Sequence, residues 1–104
     1  MSGATSRRKG ARGQCEAANL LRDRDWVVDQ ITAGISAGDL IGTDANGKTW
    51  CVEVKNCAGI LPGHVKQAME QGKKRRLPWM LMSKIAGTSS WLVQRMGEKP
   101  VVWS

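Results

Sequence analysis

The stretch Lys48-Thr-Trp-Cys-Val-Glu-Val-Lys55 decides how this chain is read. Its β-branched and aromatic residues suit a strand. Successive side chains of a strand point to opposite faces, so Trp50, Val52 and Val54 bury one face while Cys51, Glu53 and Lys55 project from the other. Just upstream, Asp39-Leu-Ile-Gly-Thr43 reads as a second strand, joined to the first through Asp44-Ala-Asn-Gly47. Asn46 and Gly47 both tolerate positive φ, which marks a hairpin. Asp39 then lies beside Glu53. Two carboxylates from adjacent strands can hold a hard divalent cation such as Mg²⁺, with waters completing its octahedron. Lys55, further along the same face, is placed to orient or deprotonate a metal-bound water. That combination suits phosphodiester hydrolysis.

Working outward, residues 11–24 read as a helix whose inward stripe is Ala17, Leu20 and Leu21, with Ala18 beside them. Trp26 to Thr32 alternates as a strand, and residues 33–38 form a small-residue turn. A loop over 59–63 contains Pro62, and a second helix runs from about His64 to Arg75. In it Val65, Ala68, Met69 and Gly72 fall at i, i+3, i+4 and i+7, which predicts one apolar face. Pro78-Trp-Met-Leu-Met-Ser83 is nearly all apolar, as in a buried central strand. Residues 90–95 and 101–103 are weaker strand candidates nearer an edge. The order α-β-β-β-α-β, with these trailing strands, predicts one α/β domain over residues 10–104, a mixed central sheet flanked by helices. Residues 1–9, small, polar and basic, read as a flexible arm.

Sixteen Lys and Arg against nine Asp and Glu leave the 104-residue chain at +7, with a pI of about 9.9. That balance points to a polyanion, nucleic acid before membrane. Arg7, Arg8, Lys9 and Arg12 together with Lys73, Lys74, Arg75 and Arg76 make a two-part phosphate clamp, the second part also complementing a helix dipole. No apolar run approaches the roughly 18 residues of a spanning helix. No apolar segment follows the basic N-terminus, so it does not read as a secretory signal. The three cysteines cannot all pair within one chain, and reduced thiols in a cytoplasm are expected. Cys15, Cys51, Cys57 and His64 lack a Cys-x2-Cys knuckle, which argues against zinc. All five aromatic residues are Trp, which argues against an RNA-recognition sheet built on Phe and Tyr. Trp103, at the C-terminal end, is the Trp best placed for an interface or strand exchange.

Asp39, a hairpin and Glu53-Val-Lys55 resemble the PD-(D/E)XK nuclease superfamily, with Gly38-Asp39 where that family often has Pro-Asp. The helix Gly13-Gln-Cys-Glu16-Ala-Ala-Asn-Leu-Leu21 is similar to the opening helix of its small Holliday-junction-resolvase-like branch. Glu53-Val-Lys-Asn56, Gly63-His64 and Gln67-Ala68 resemble small phage-encoded members of that branch. The resemblance implies a restriction-endonuclease-like αβββαβ core, a Mg²⁺ or Mn²⁺ cofactor, and a homodimer cutting branched DNA; the leading reading is a Holliday junction resolvase acting on four-way junctions. It implies Asp39, Glu53 and the Val54 carbonyl as metal ligands, Lys55 as the catalytic lysine, Glu16 as a helix carboxylate at the site, and Gln67 as a polar residue beside it. Ser36, in Ile35-Ser-Ala37, stands near where that branch carries a Ser ahead of the metal-binding Asp, without the accompanying Arg. From the residues alone, Glu16 can instead pair with Arg12 one turn earlier, and His64 can serve as a base, a ligand or a solvated helix residue. Two other functions compete: a flap- or single-strand nuclease of the same fold, and a basic DNA-binding module without catalysis.

Overall fold

In the computed structural model, residues 13, 15–30, 39–55 and 62–103 are described, with the backbone alone at positions 30 and 39. A helix that includes residues 15–23 (α1) is followed by β1 (Val27–Gln30), β2 (Asp39–Thr43) and β3 (Thr49–Lys55). Then come α2 (Pro62–Arg75), β4 (Trp79–Lys84), β5 (Trp91–Arg95) and β6 (Val101–Trp103). The six strands form one sheet in chain order. Every neighbouring pair is antiparallel except β3 and β4, which are parallel and need the crossover that α2 supplies. The chain is thus α/β, a mixed six-stranded sheet flanked by two helices.

The alternation read from β3 recurs on β4 and sorts the core into two layers. Trp50, Val52, Val54, Met80, Met82, Trp91 and Val93 pack with Ala17, Ala18 and Leu21 of α1. On the other face, Trp79 and Leu81 pack with Ala68 and half-buried Val65 of α2. The sheet coils towards α1. Trp26, just ahead of edge strand β1, and Trp103, on edge strand β6, stand at diagonal corners, yet their rings meet edge-on with centroids 6.5 Å apart. Arg24 closes that clasp, its guanidinium 4.1 Å from the Trp103 ring centre. Trp103, expected to serve an interface, is thereby engaged within its own chain.

Several local expectations are corrected. α2 starts at Pro62, not His64, because proline's fixed φ and missing N–H fit a first helical turn. In the 44–47 hairpin only Gly47 adopts positive φ, at 85°. Asp44 N–H bonds Lys48 O at 2.8 Å and Gly47 N–H bonds Asp44 O at 3.0 Å, a three-residue loop closed by one left-handed residue. Met69 is 52% exposed and does not share the buried face of Ala68 and Gly72. At Gly72 the helix approaches β4 closely: a Cβ there would sit 3.0 Å from Trp79 Cβ and 2.8 Å from Leu77 O of the intervening turn. Both trailing strand candidates are ordinary strands. Among the described residues, no helix is long and apolar enough to cross a membrane. The basic arm, Arg12, Ser36, Asn56 and Cys57 lie outside the described residues.

Candidate functional site

Backbone groups alternate sides along a strand, and Cys51 gives its N–H to Pro78 O at 2.9 Å, on the β4 side. The backbone groups of Glu53 therefore also serve β4, and those of Val52 and Val54 turn towards β2. Asp39 and Glu53 are register partners across β2 and β3. They accordingly form a non-hydrogen-bonded pair, the kind whose Cα atoms approach to about 4.5 Å. The Thr43–Thr49 pair in the same ladder is of this kind, and there the two hydroxyls meet at 3.0 Å. The Val54 carbonyl turns to the β2 side just past Asp39, where that strand begins.

Glu53 is fully buried under α2. The Lys55 ammonium lies 3.4 Å from its Oε1, with the lysine side chain 24% exposed and the carboxylate nearly closed off. Beside Lys55 on β4, at its register position, stands Ser83, also fully buried. Glu53 and Ser83 are the buried polar side chains among the described residues, and both belong to this face. His64, in the first turn of α2, is pushed below the ordinary imidazole pKa by desolvation and then by the Lys55 charge, so it is neutral at pH 7. Gln67 stands one turn further along α2, half-buried.

Glu16 goes elsewhere. Its Oε2 accepts a hydrogen bond from the Lys84 ammonium at 2.7 Å. Lys84 shares the alternation of Met80 and Met82 and lies 5.2 Å from the Trp91 ring centre, on the α1 face. The structure thus gathers Glu53, Lys55 and His64, with residue 39 opposite Glu53, and sets Glu16 on the other side of the sheet. Cys15 is exposed on α1 and Cys51 is buried on the α2 face, so these two thiols do not converge. In the sequence Ser83 reads only as the end of an apolar run, and Lys84 lies just beyond it. Continuing the alternation by one residue would have placed Lys84 on the face of the first helix.

Lys73, Lys74 and Arg76 are exposed at the C-terminal end of α2, with Arg75 half-buried. Because α2 runs back against β3, this cluster lies at the opposite end of the helix from His64. Fourteen residues at 1.5 Å each separate the two ends by about 20 Å. Among the described residues, no three His, Cys, Asp or Glu side chains cluster as metal ligands. Carboxylates from positions 39 and 53 with the Val54 carbonyl would make an all-oxygen donor set of the hard type that Mg²⁺ prefers. No family model matches the chain, and neither a curated protein nor a solved structure matches it.

Proposed function

We propose that the chain is a metal-dependent endonuclease acting on branched DNA, a Holliday junction resolvase that makes paired cuts as a homodimer. One observation carries this reading: a fully buried glutamate, 3.4 Å from a lysine two residues on, directly across a narrow strand pair from an aspartate. A buried carboxylate is expensive unless it serves a charge. The element order α-β-β-β-α-β and the +7 balance support the same reading. In it, Asp39, Glu53 and the Val54 carbonyl hold Mg²⁺ or Mn²⁺. The metal, when bound, supplies Lewis-acid stabilisation of charge on the phosphate and lowers the pKa of attacking water. Glu53 draws Lys55 inward, so that the Lys55 Nζ stands at the mouth of the site, where it holds or exchanges a proton with the nucleophile. Neutral His64 adds no charge there. Glu16, committed to Lys84 across the sheet, has no part in this set.

The reading is tested on a labelled synthetic four-way junction in Mg²⁺, beside duplex, flap and single-strand controls, using wild type and Glu53→Gln. Paired symmetric nicks on the junction alone, lost in the variant while binding persists, are expected. Cutting of the flap or single strand instead would keep the site and change the substrate. Tight binding without cutting in either metal would defeat the nuclease reading and favour a non-catalytic DNA-binding module, in which the Glu53–Lys55 and Glu16–Lys84 pairs are structural.

A further inference from the structure

The α2 helix covers only the middle of its face of the sheet. Beside it a groove of about 440 Å³ opens, formed by Met69, Leu77, Trp79 and Met96. Met69 and Met96 are each about half exposed, at 52% and 53%. Isolated exposed methionines are ordinary on a surface, but two that flank a continuous apolar groove mark a docking face. The helical rim of the groove is Lys66, Glu70 and Lys73, which with Met69 form a single stripe at i, i+3, i+4 and i+7.

We propose that this stripe and groove are the face on which two copies of the chain associate, α2 against α2 and antiparallel. Charge selects both the occupant and the register. With the two-fold axis beside Ala68, Glu70 of each copy faces Lys66 of the other, and the pairing occurs twice, as an isologous contact requires. Shifting the axis towards Glu70 would set Lys66 against Lys73 and lose it. The same reversal has a consequence for the site. Within one chain the basic end of α2 lies about 15 Å along the helix from His64. In the pair, Lys73 and Lys74 of one copy come beside Gly63 and Pro62 of the other, in the first turn of its α2, the turn that carries His64. Each copy thus supplies the phosphate contacts for its partner's site. This last step rests on the nuclease reading, whereas the association face does not.

Sedimentation of the whole chain, without DNA or metal, over a micromolar to submillimolar series tests the face. A dimer is expected. Glu70→Lys and Lys66→Glu should each weaken it at least tenfold, about 1.4 kcal/mol, and the double exchange should restore it. Both positions are exposed, so circular dichroism should show an unchanged fold. A monomer throughout, or a dimer indifferent to both single changes, overturns the proposal. The shared site is tested by mixing Glu53→Gln chains with chains carrying Lys73→Glu and Lys74→Glu. Neither should cut a junction alone, and the mixture should nick it, because the intact glutamate then sits beside the intact cluster of its partner. A mixture as inert as its components, where wild type cuts, overturns the sharing of the site but not the face. A wild type that never cuts removes the sharing together with the nuclease reading.

Discussion

The two faces of the sheet are built by different rules. Towards α1, the core is continuous and apolar, with Trp26, Trp50 and Trp91 among Leu40, Val52, Met80, Met82 and Val93. Towards α2, the buried apolar residues are Ala68, Trp79 and Leu81, and beside them lie buried Glu53 and Ser83. The first face provides most of the folding free energy through area removed from water. The second gives up part of that gain to keep a carboxylate in place, at the end of β3 that faces the start of α2. A small domain has little stability to spare. A charge retained at such a cost marks where function is expected.

Truncating the first face should have the largest effect. Trp91, 2% exposed, packs at the centre of that layer, and Trp91→Ala should remove about 3–5 kcal/mol, read as a collapse of the urea midpoint or outright failure to fold. The second face should respond with the opposite sign. Glu53→Met replaces a buried charge by a side chain of similar volume, and Lys55, already partly exposed, can turn to water. A gain of about 1–2 kcal/mol is expected, since apolar replacement of buried ion pairs is often stabilising, together with loss of any cleavage. A destabilisation of similar size would show that the two faces obey the same rule after all.

This asymmetry was half legible in the sequence. Alternation along Trp50 to Lys55 correctly separated Val52 and Val54 from Cys51 and Glu53, and the hairpin correctly set residue 39 opposite Glu53. These are local properties, fixed by the strand period and by a turn of known length. The side of the sheet that each helix covers is not local. The resemblance alone therefore sets Glu16 at the carboxylate site, whereas α1 packs on the other face and hands it to Lys84. Met69 failed for a related reason. Helical spacing marks a wide apolar face, but only Ala68 and Gly72 of it are buried against the sheet, and Met69 lines the groove instead.

A smaller effect distinguishes the two helix ends. Both helices close with a residue in the left-handed region, Asp25 at φ 67° after α1 and Arg76 at φ 57° after α2. In each, the following N–H reaches back five residues, Trp26 to Leu21 O at 3.0 Å and Leu77 to Gly72 O at 2.9 Å, the bonding of a Schellman cap. Asp tolerates this conformation better than Arg, for which it costs roughly 1–2 kcal/mol. Arg76→Gly should therefore stabilise by about 1 kcal/mol, and Asp25→Gly by less, in the same denaturation assay. If Arg76 contacts a phosphate, its replacement should also flatten the slope of log K against log salt by about one. Stabilisation without any change in salt dependence would leave the arginine's strain with no binding role to explain it.

The least conspicuous difference is one of pH. His64 lies on the α2 side, and desolvation together with the Lys55 charge lowers its pKa below 6.5. The unfolded chain then binds a proton more readily than the folded one, so stability is complete above about pH 6.5 and falls as pH drops from there through the folded pKa. Asp44, on the hairpin at the far end of β3, is lowered below 3.8 chiefly by the Lys48 N–H at 2.9 Å, and next by the Trp50 indole N–H at 3.1 Å. Its contribution is present above 3.8 and is lost only as pH falls through its lower folded value. Acid should therefore act in two separate windows. His64→Gln should remove the slope of the denaturation midpoint just below pH 6.5 and leave the lower window intact, and Asp44→Asn should do the reverse. If His64→Gln left the upper slope unchanged, the imidazole would not be desolvated beside Lys55, and the second face would lose this pH-sensing neighbour of the Glu53–Lys55 pair.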